Sequence, residues 1–174
     1  MNRFFKIFIK ILIGYFFTGF CYAIEVGSPA PLFTLKNQNG NVISLEQNKG
    51  KNWTVVYFYP KAGTPGCTTQ ACAFRDSINV IKKEGAVVYG ISTDSVSSLK
   101  EFHEKHKLNF DILSDQDGKI STAYGTKMPL LTMSKRVTFI IDDKLIIRSV
   151  DENVDPAIDA NKVAKKIIQI RSQK

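Results

Sequence analysis

The sequence predicts an α/β sandwich in which a central mixed β-sheet is flanked by helices. Residues 53–59, Trp-Thr-Val-Val-Tyr-Phe-Tyr, form a nearly continuous β-favouring run, the pattern of a central strand buried on both faces. Amphipathic helical segments alternate with further short apolar runs, as a layered α/β domain requires. A strand pair and a well-punctuated helix close the chain. Of 174 residues 44% are hydrophobic and 23% charged, enough apolar material for one packed core and too much for a disordered chain.

Taken in order, Val26-Gly27-Ser28-Pro29-Ala30-Pro31 is a rigid, turn-rich lead-in. Leu32, Phe33 and Leu35 mark a short strand, Asn39-Gly40 a hairpin turn, and Val42 and Ile43 the return. Pro60 ends the 53–59 strand, and residues 61–66 read as irregular. A helix opens near Cys67 and runs to Lys83 or Glu84, with Gly85 as its stop. Ala86 to Ser92 is a second buried strand, and Ser95 to Lys107 an amphipathic helix carrying Leu99 and Phe102. Phe110 to Leu113 is a strand and Gly118 to Tyr124 a short helix. Val137 to Ile141 and Leu145 to Val150 pair across Asp142-Asp143-Lys144. In the last helix Asp155 is the N-cap, Pro156 the first helical residue, and Ala160, Val163, Ala164, Ile167 and Ile168 the apolar stripe. This order is that of a thioredoxin-like fold with an N-terminal extension, in a single domain over residues 24–174.

Residues 1–23 have a separate logic. Arg3, Lys6 and Lys10 precede an apolar run from Ile11 to Phe20, and Cys21-Tyr22-Ala23 follows. That is the order of a secretory signal cleaved after Ala23, which predicts an exported, periplasmic protein. The apolar run falls short of the roughly 20 residues that span a bilayer, although counted from Phe4 it could serve as an uncleaved anchor. Bulky Phe20 argues against lipidation at Cys21. The whole chain carries a net charge of +8, and loss of the three N-terminal basic residues leaves +5. Lys162, Lys165 and Lys166 cluster without interleaved aromatics, so they read as a solvated helix face and not a nucleic-acid patch. His103 and His106 lack a third ligand and are expected to face solvent, with no metal bound. Trp53 is expected in the packing.

The chemistry concentrates in Pro60-Lys61-Ala62-Gly63-Thr64-Pro65-Gly66-Cys67-Thr68-Thr69-Gln70-Ala71-Cys72, which joins the end of a buried strand to the start of a helix. In open α/β sheets ligands bind at that edge. A helix N-terminus offers unpaired N–H groups and the positive end of the dipole, which favour a thiolate, the nucleophilic form of cysteine. Thr64, three residues ahead of Cys67, can turn its hydroxyl to the same pocket, and the N–H groups of Gly66 and Cys67 can point there. Arg136, directly before the Val137 strand, is a candidate cation for the sulfur and for a departing oxygen.

Tyr59-Pro60 through Thr64-Pro65-Gly66-Cys67-Thr68, followed by Phe74-Arg75-Asp76, resembles the active-site signature of peroxiredoxins, in the subclass called peroxiredoxin Q or bacterioferritin comigratory protein. Gly90-Ile91-Ser92-Thr93-Asp94 and Arg136-Val137-Thr138-Phe139-Ile140-Ile141-Asp142 extend the resemblance, which covers about residues 24–170. It implies a peroxidatic Cys67, a peroxide-binding Thr64, a shielding Pro60, an active-site Arg136 and a resolving Cys72. It further implies hydroperoxide as substrate, a thioredoxin-like dithiol protein as reductant, no cofactor, and a monomer. Gln70 stands where many relatives carry glutamate, and the 127–135 stretch is shorter than in several of them. The apolar Met128-Pro129-Leu130-Leu131-Thr132-Met133 loop is either a rim of the substrate entrance, a partner contact or simple packing.

A permanent Cys67–Cys72 disulfide does not suit an intact helix. Five residues along it place the Cα atoms about 8.7 Å apart, beyond the ~7 Å reach of the bond. A bond that forms and is reduced in turn suits the spacing better. A thioredoxin-like disulfide oxidoreductase is the first rival reading, but it would want two residues between its cysteines where this chain has four. A non-enzymatic binding module is the second.

Overall fold

The computed structural model of the protein describes residues 24–173, so the export segment expected over residues 1–23 lies outside the described residues. The elements are β1 (Thr34–Asn37), β2 (Val42–Ser44), a 3₁₀ turn (Leu45–Asn48), β3 (Trp53–Phe58), α1 (Pro65–Lys83), β4 (Ala86–Ser92), α2 (Val96–Lys105), β5 (Asp111–Ser114), α3 (Lys119–Ala123), β6 (Val137–Ile141), β7 (Ile147–Asp151) and α4 (Asp159–Ser172). The strands form one mixed seven-stranded sheet in the order β2-β1-β5-β4-β3-β6-β7. β3, β4 and β5 run parallel, and β6 lies antiparallel beside β3.

The topology follows from handedness. The crossovers β3–α1–β4 and β4–α2–β5 step the same way along the sheet, so right-handed connections put both helices on one face. The strand residues divide by alternation. Trp53, Val55 and Tyr57 meet Phe74, Ile78 and Ile81 of α1 and Val163 and Ile167 of α4. Val56 and Phe58 meet Phe33, Tyr124 and Phe139 on the other side. All six residues of β3 are buried, as its apolar run predicts. Burial of each large apolar side chain stabilises the fold by about 1.5–3 kcal/mol.

Four expectations need correction. The α1 helix starts at Pro65, inside the stretch expected to be irregular, because proline needs no N–H partner at a first helical position. Asp155 does not cap α4 itself. Its carboxylate accepts from the Ala157 N–H at 3.0 Å and its carbonyl from the Asp159 N–H, making a leading turn before the helix begins at Asp159. Ile168, expected in the stripe, is 47% exposed. His103 and His106 differ as well: both are half-buried, and the His106 ring packs on Phe102 with centroids 4.9 Å apart. Trp53 is buried as expected, with the Arg171 guanidinium over its ring at 5.2 Å.

Candidate active site

The loop that feeds α1 is tied down before the helix starts. The Ala62 N–H donates to the Asp94 carboxylate at 2.8 Å, and the Ser92 hydroxyl donates to the same oxygen at 2.8 Å. The end of β4 thereby holds the loop that follows β3. Gly63, at φ 79°, makes the left-handed turn that a side chain would resist. Thr64 then stands extended as the N-cap of α1, with its hydroxyl donating to the Lys61 carbonyl at 3.0 Å.

Cys67 lies in the first turn of α1 and is 1% exposed. Arg136, half-buried ahead of β6, donates from Nη2 to the Cys67 sulfur at 3.3 Å. The sulfur therefore has a guanidinium and the first turn of a helix beside it. Cys72 sits farther along the same unbroken helix, half-buried, and both thiols are free. The structure thus brings Cys67 and Arg136 into contact, sets half-buried Pro60 and Thr64 at the two ends of the loop that leads into α1, and leaves Cys72 on a later turn.

Gly66 explains how Arg136 comes so close. A Cβ there would stand 3.2 Å from Arg136 Nη2, so the glycine hydrogen leaves space for the guanidinium. Sequence reasoning gave Gly66 a backbone N–H for the pocket, whereas here it is helical and also makes room for the guanidinium.

Two further residues complete the arrangement and were missed in the sequence. Gln70 is fully buried; its Oε1 accepts from Arg136 Nη1 at 2.6 Å, and its Nε2 donates to Asp159 Oδ2 at 2.6 Å. Asp159 Oδ2 also accepts from the Thr138 hydroxyl at 2.8 Å, while Oδ1 is buried without a hydrogen-bond partner. Burial pushes the Asp159 carboxyl above the ordinary carboxylate range, against the lowering effect of the Gln70 and Thr138 bonds. Gln70 was legible in principle, since it follows Cys67 by three and so shares its helix face. Asp159 carried no such signal, being ninety-odd residues distant in sequence.

The remaining motif residues are structural. Phe74 stacks on Tyr57 with centroids 4.7 Å apart and planes at 11°. Arg75 donates to the His106 carbonyl at 2.8 Å and accepts from Asn109 through its own carbonyl, pinning α1 to the turn after α2. The apolar loop forms a small hairpin, with a Lys127–Ser134 bridge, a Met128 N–H to Met133 carbonyl bond, and Leu130 fully exposed at its tip. Leu131, Thr132 and Met133 join Pro60, Lys61 and Thr93 around a cavity of about 480 Å3, and the Thr93 hydroxyl donates to the Thr132 carbonyl. Of the readings open for that loop, a rim beside Pro60 is the one this placement favours.

A seven-stranded mixed sheet with a buried, Arg-contacted cysteine opening a helix defines a thiol-bearing thioredoxin-like protein. The chain belongs to the AhpC/TSA family, which matches residues 26–150, in its peroxiredoxin Q and bacterioferritin comigratory branch. It is 46% identical over 134 residues to the chloroplastic peroxiredoxin Q of Oryza sativa subsp. japonica, covering 76% of this chain and 61% of that one. The chain thus spans about three-fifths of the length of that relative. Among solved structures, peroxidoxin BcpB of Mycobacterium tuberculosis superposes with a TM-score of 0.80 at 32% identity, covering 85% of this chain and 99% of that one. The bacterioferritin comigratory protein of Xanthomonas campestris, whose structures address its alkyl peroxide reduction activity, superposes at 0.74 with 28% identity, covering 79% and 91%.

Proposed function

We propose that this chain is a thiol peroxidase that reduces hydrogen peroxide and organic hydroperoxides through Cys67, with Cys72 as the resolving cysteine. The observation that carries the reading is the 3.3 Å contact of Arg136 with the Cys67 sulfur at the mouth of α1. The Cys67 thiolate attacks one peroxide oxygen. A sulfur–oxygen bond forms, the O–O bond breaks, and the other oxygen takes up the proton that the thiol released on becoming a thiolate, leaving as water or an alcohol. Arg136 and the N–H groups at the start of α1 offset the charge that develops on the leaving oxygen. The Thr64 hydroxyl, whose proton here lies on the Lys61 carbonyl, has lone pairs and a rotor with which to orient the peroxide. Pro60 limits water at the site.

The Cys72 thiol then condenses with the Cys67 sulfenic acid, releasing water and forming an intramolecular disulfide. A thioredoxin-like dithiol protein reduces that bond by exchange, becoming a disulfide itself. The cycle needs no metal or organic cofactor. We place the protein outside the cytoplasm, most simply in the periplasm, on the strength of residues 1–23; among the described residues no helix is long and apolar enough to cross a membrane. We further propose that it works as a monomer, since both thiols of the cycle lie on one helix.

Stopped-flow oxidation of the reduced protein by hydrogen peroxide and by an alkyl hydroperoxide tests the reading. Both should oxidise Cys67 rapidly, and Cys67→Ser should abolish turnover. Turnover surviving Cys67→Ser, or a parent protein inert to both peroxides, contradicts it.

A further inference from the structure

We propose that Asp159 is a positioning residue for the site: it sets the orientation of Gln70 and, through Gln70, holds Arg136 on the Cys67 sulfur. The proposal rests on the peroxidase reading for its kinetic meaning, but its structural argument stands on the hydrogen bonds alone.

The argument is one of donors and acceptors. A guanidinium only donates, so whatever faces Arg136 Nη1 has to accept. Gln70 can present either an oxygen or an NH2 group there, because its amide can turn over. The guanidinium itself selects the oxygen, and the other end selects it a second time. Asp159 Oδ2 accepts from Gln70 Nε2 at 2.6 Å and from the Thr138 hydroxyl at 2.8 Å. With the amide nitrogen committed to Asp159, the amide oxygen has to face Arg136, where it accepts at 2.6 Å. Oδ2 retains this role in either protonation state, since Oδ1 is the oxygen without a hydrogen-bond partner.

Gln70, Asp159 and Thr138 are all buried, so water is poorly placed to substitute for any link. Without the carboxylate, the buried Gln70 Nε2 loses its acceptor, and an amide that turns or shifts to recover one gives up its bond to Arg136. Arg136 would then lose the Gln70 oxygen that steadies its guanidinium beside the sulfur, 3.3 Å away. The chain of bonds also joins three elements. Gln70 lies on α1, Thr138 on β6 and Asp159 at the first position of α4, so the helix that closes the fold reports on the geometry of the nucleophile. Gln70 lies between Cys67 and Cys72, so any opening of that turn of α1 has to break its bond to Asp159.

Asp159→Leu, Asp159→Asn, Arg136→Ala and the Asp159→Leu/Arg136→Ala pair decide the matter. Two rates are read for each reduced protein: oxidation of Cys67 by hydrogen peroxide, and alkylation of Cys67 by iodoacetamide at neutral pH with Cys72 replaced by serine. Asp159→Leu should slow both about tenfold, the scale of a lost bond to a charged group. Asp159→Asn retains an oxygen for Gln70 and should stay within about threefold of the parent. In the Arg136→Ala background Asp159→Leu should cause no further loss, because its effect runs through Arg136. Additive losses, a parent-like Asp159→Leu, or an Asp159→Asn as slow as Asp159→Leu would overturn the proposal. If Asp159→Leu does not fold, Gln70→Leu cuts the same chain one link nearer the sulfur and has to show the same non-additivity. The alkylation rates involve no peroxide, so they judge Asp159 even where the peroxidase reading itself fails.

Discussion

At the scale of single residues, the site depends on what surrounds one sulfur. Cys67 and Arg136 were legible because a cysteine and a cation each sit at a punctuated element boundary, in the first turn of α1 and just before β6. Gln70 was read only as a replacement for the glutamate of many relatives, whereas it is the buried link between Arg136 and Asp159. A pairwise bond between α1 and α4 leaves no local trace in either segment, which is why Asp159 stayed hidden. The 3.2 Å space at Gly66 gives a sharp expectation. Gly66→Ala is compatible with a helix, so the fold should survive while the new methyl group presses on the Arg136 guanidinium. Peroxide oxidation of Cys67 should slow by roughly tenfold, in line with loss of one hydrogen bond to a charged group, with thermal stability near the parent's. A parent-like rate would mean that Arg136 moves without consequence. Cys72→Ser should leave the first oxidation largely intact while a Cys67 sulfenic acid accumulates and over-oxidises. Trapping with dimedone and mass measurement check this, and full-rate cycling with a dithiol reductant would remove Cys72 from the resolving role.

At the scale of elements, hydrophobic period and punctuation carried most of the fold. The 53–59 run, the Asn39-Gly40 turn, the start of α2 at about Ser95 and the Asp142-Asp143-Lys144 turn all appear where the sequence puts them. The misplaced boundaries have local causes. Pro65 was read as a breaker although proline suits a first helical turn, and Asp155-Pro156 starts a turn that passes into α4 only at Asp159. The β6–β7 hairpin shows how a buried acid secures such a turn. The Asp142 carboxylate accepts from the N–H groups of Lys144 and Ile146 at 2.9 and 3.0 Å and from Arg148 at 2.7 Å. Burial works to raise its pKa, but the bonds from Ile146, Arg148 and Lys144 outweigh it and hold the carboxyl below the ordinary value of 3.8. A carboxyl depressed by folding contributes stability that is fully present above the unfolded value and is lost as pH falls through the folded one. Asp142→Asn should therefore be less stable than the parent at neutral pH, and the two should converge in strong acid. Urea midpoints measured across acid pH check this; parallel curves would show that Asp142 does not titrate with folding.

At the scale of the whole molecule, the proposed disulfide asks one helix on the sheet to change. Cys67 and Cys72 both lie in unbroken α1, where helical geometry keeps their Cα atoms about 8.7 Å apart, so a disulfide requires the first turns to unwind. Unwinding also takes Gln70 from Arg136 and Asp159, which would dismantle the peroxide site as the disulfide becomes available to a reductant. Amide exchange over about residues 66–76 should accelerate in the oxidised protein while β3, β4 and β6 keep their protection. Equal protection in both redox states would favour an intermolecular disulfide instead. The most direct measurement of the central claim is peptide mapping of the reduced protein after one equivalent of hydroperoxide. Loss of both thiols, with Cys67 and Cys72 joined in one chain, is the predicted result. Two intact thiols would contradict a peroxidase built on Cys67.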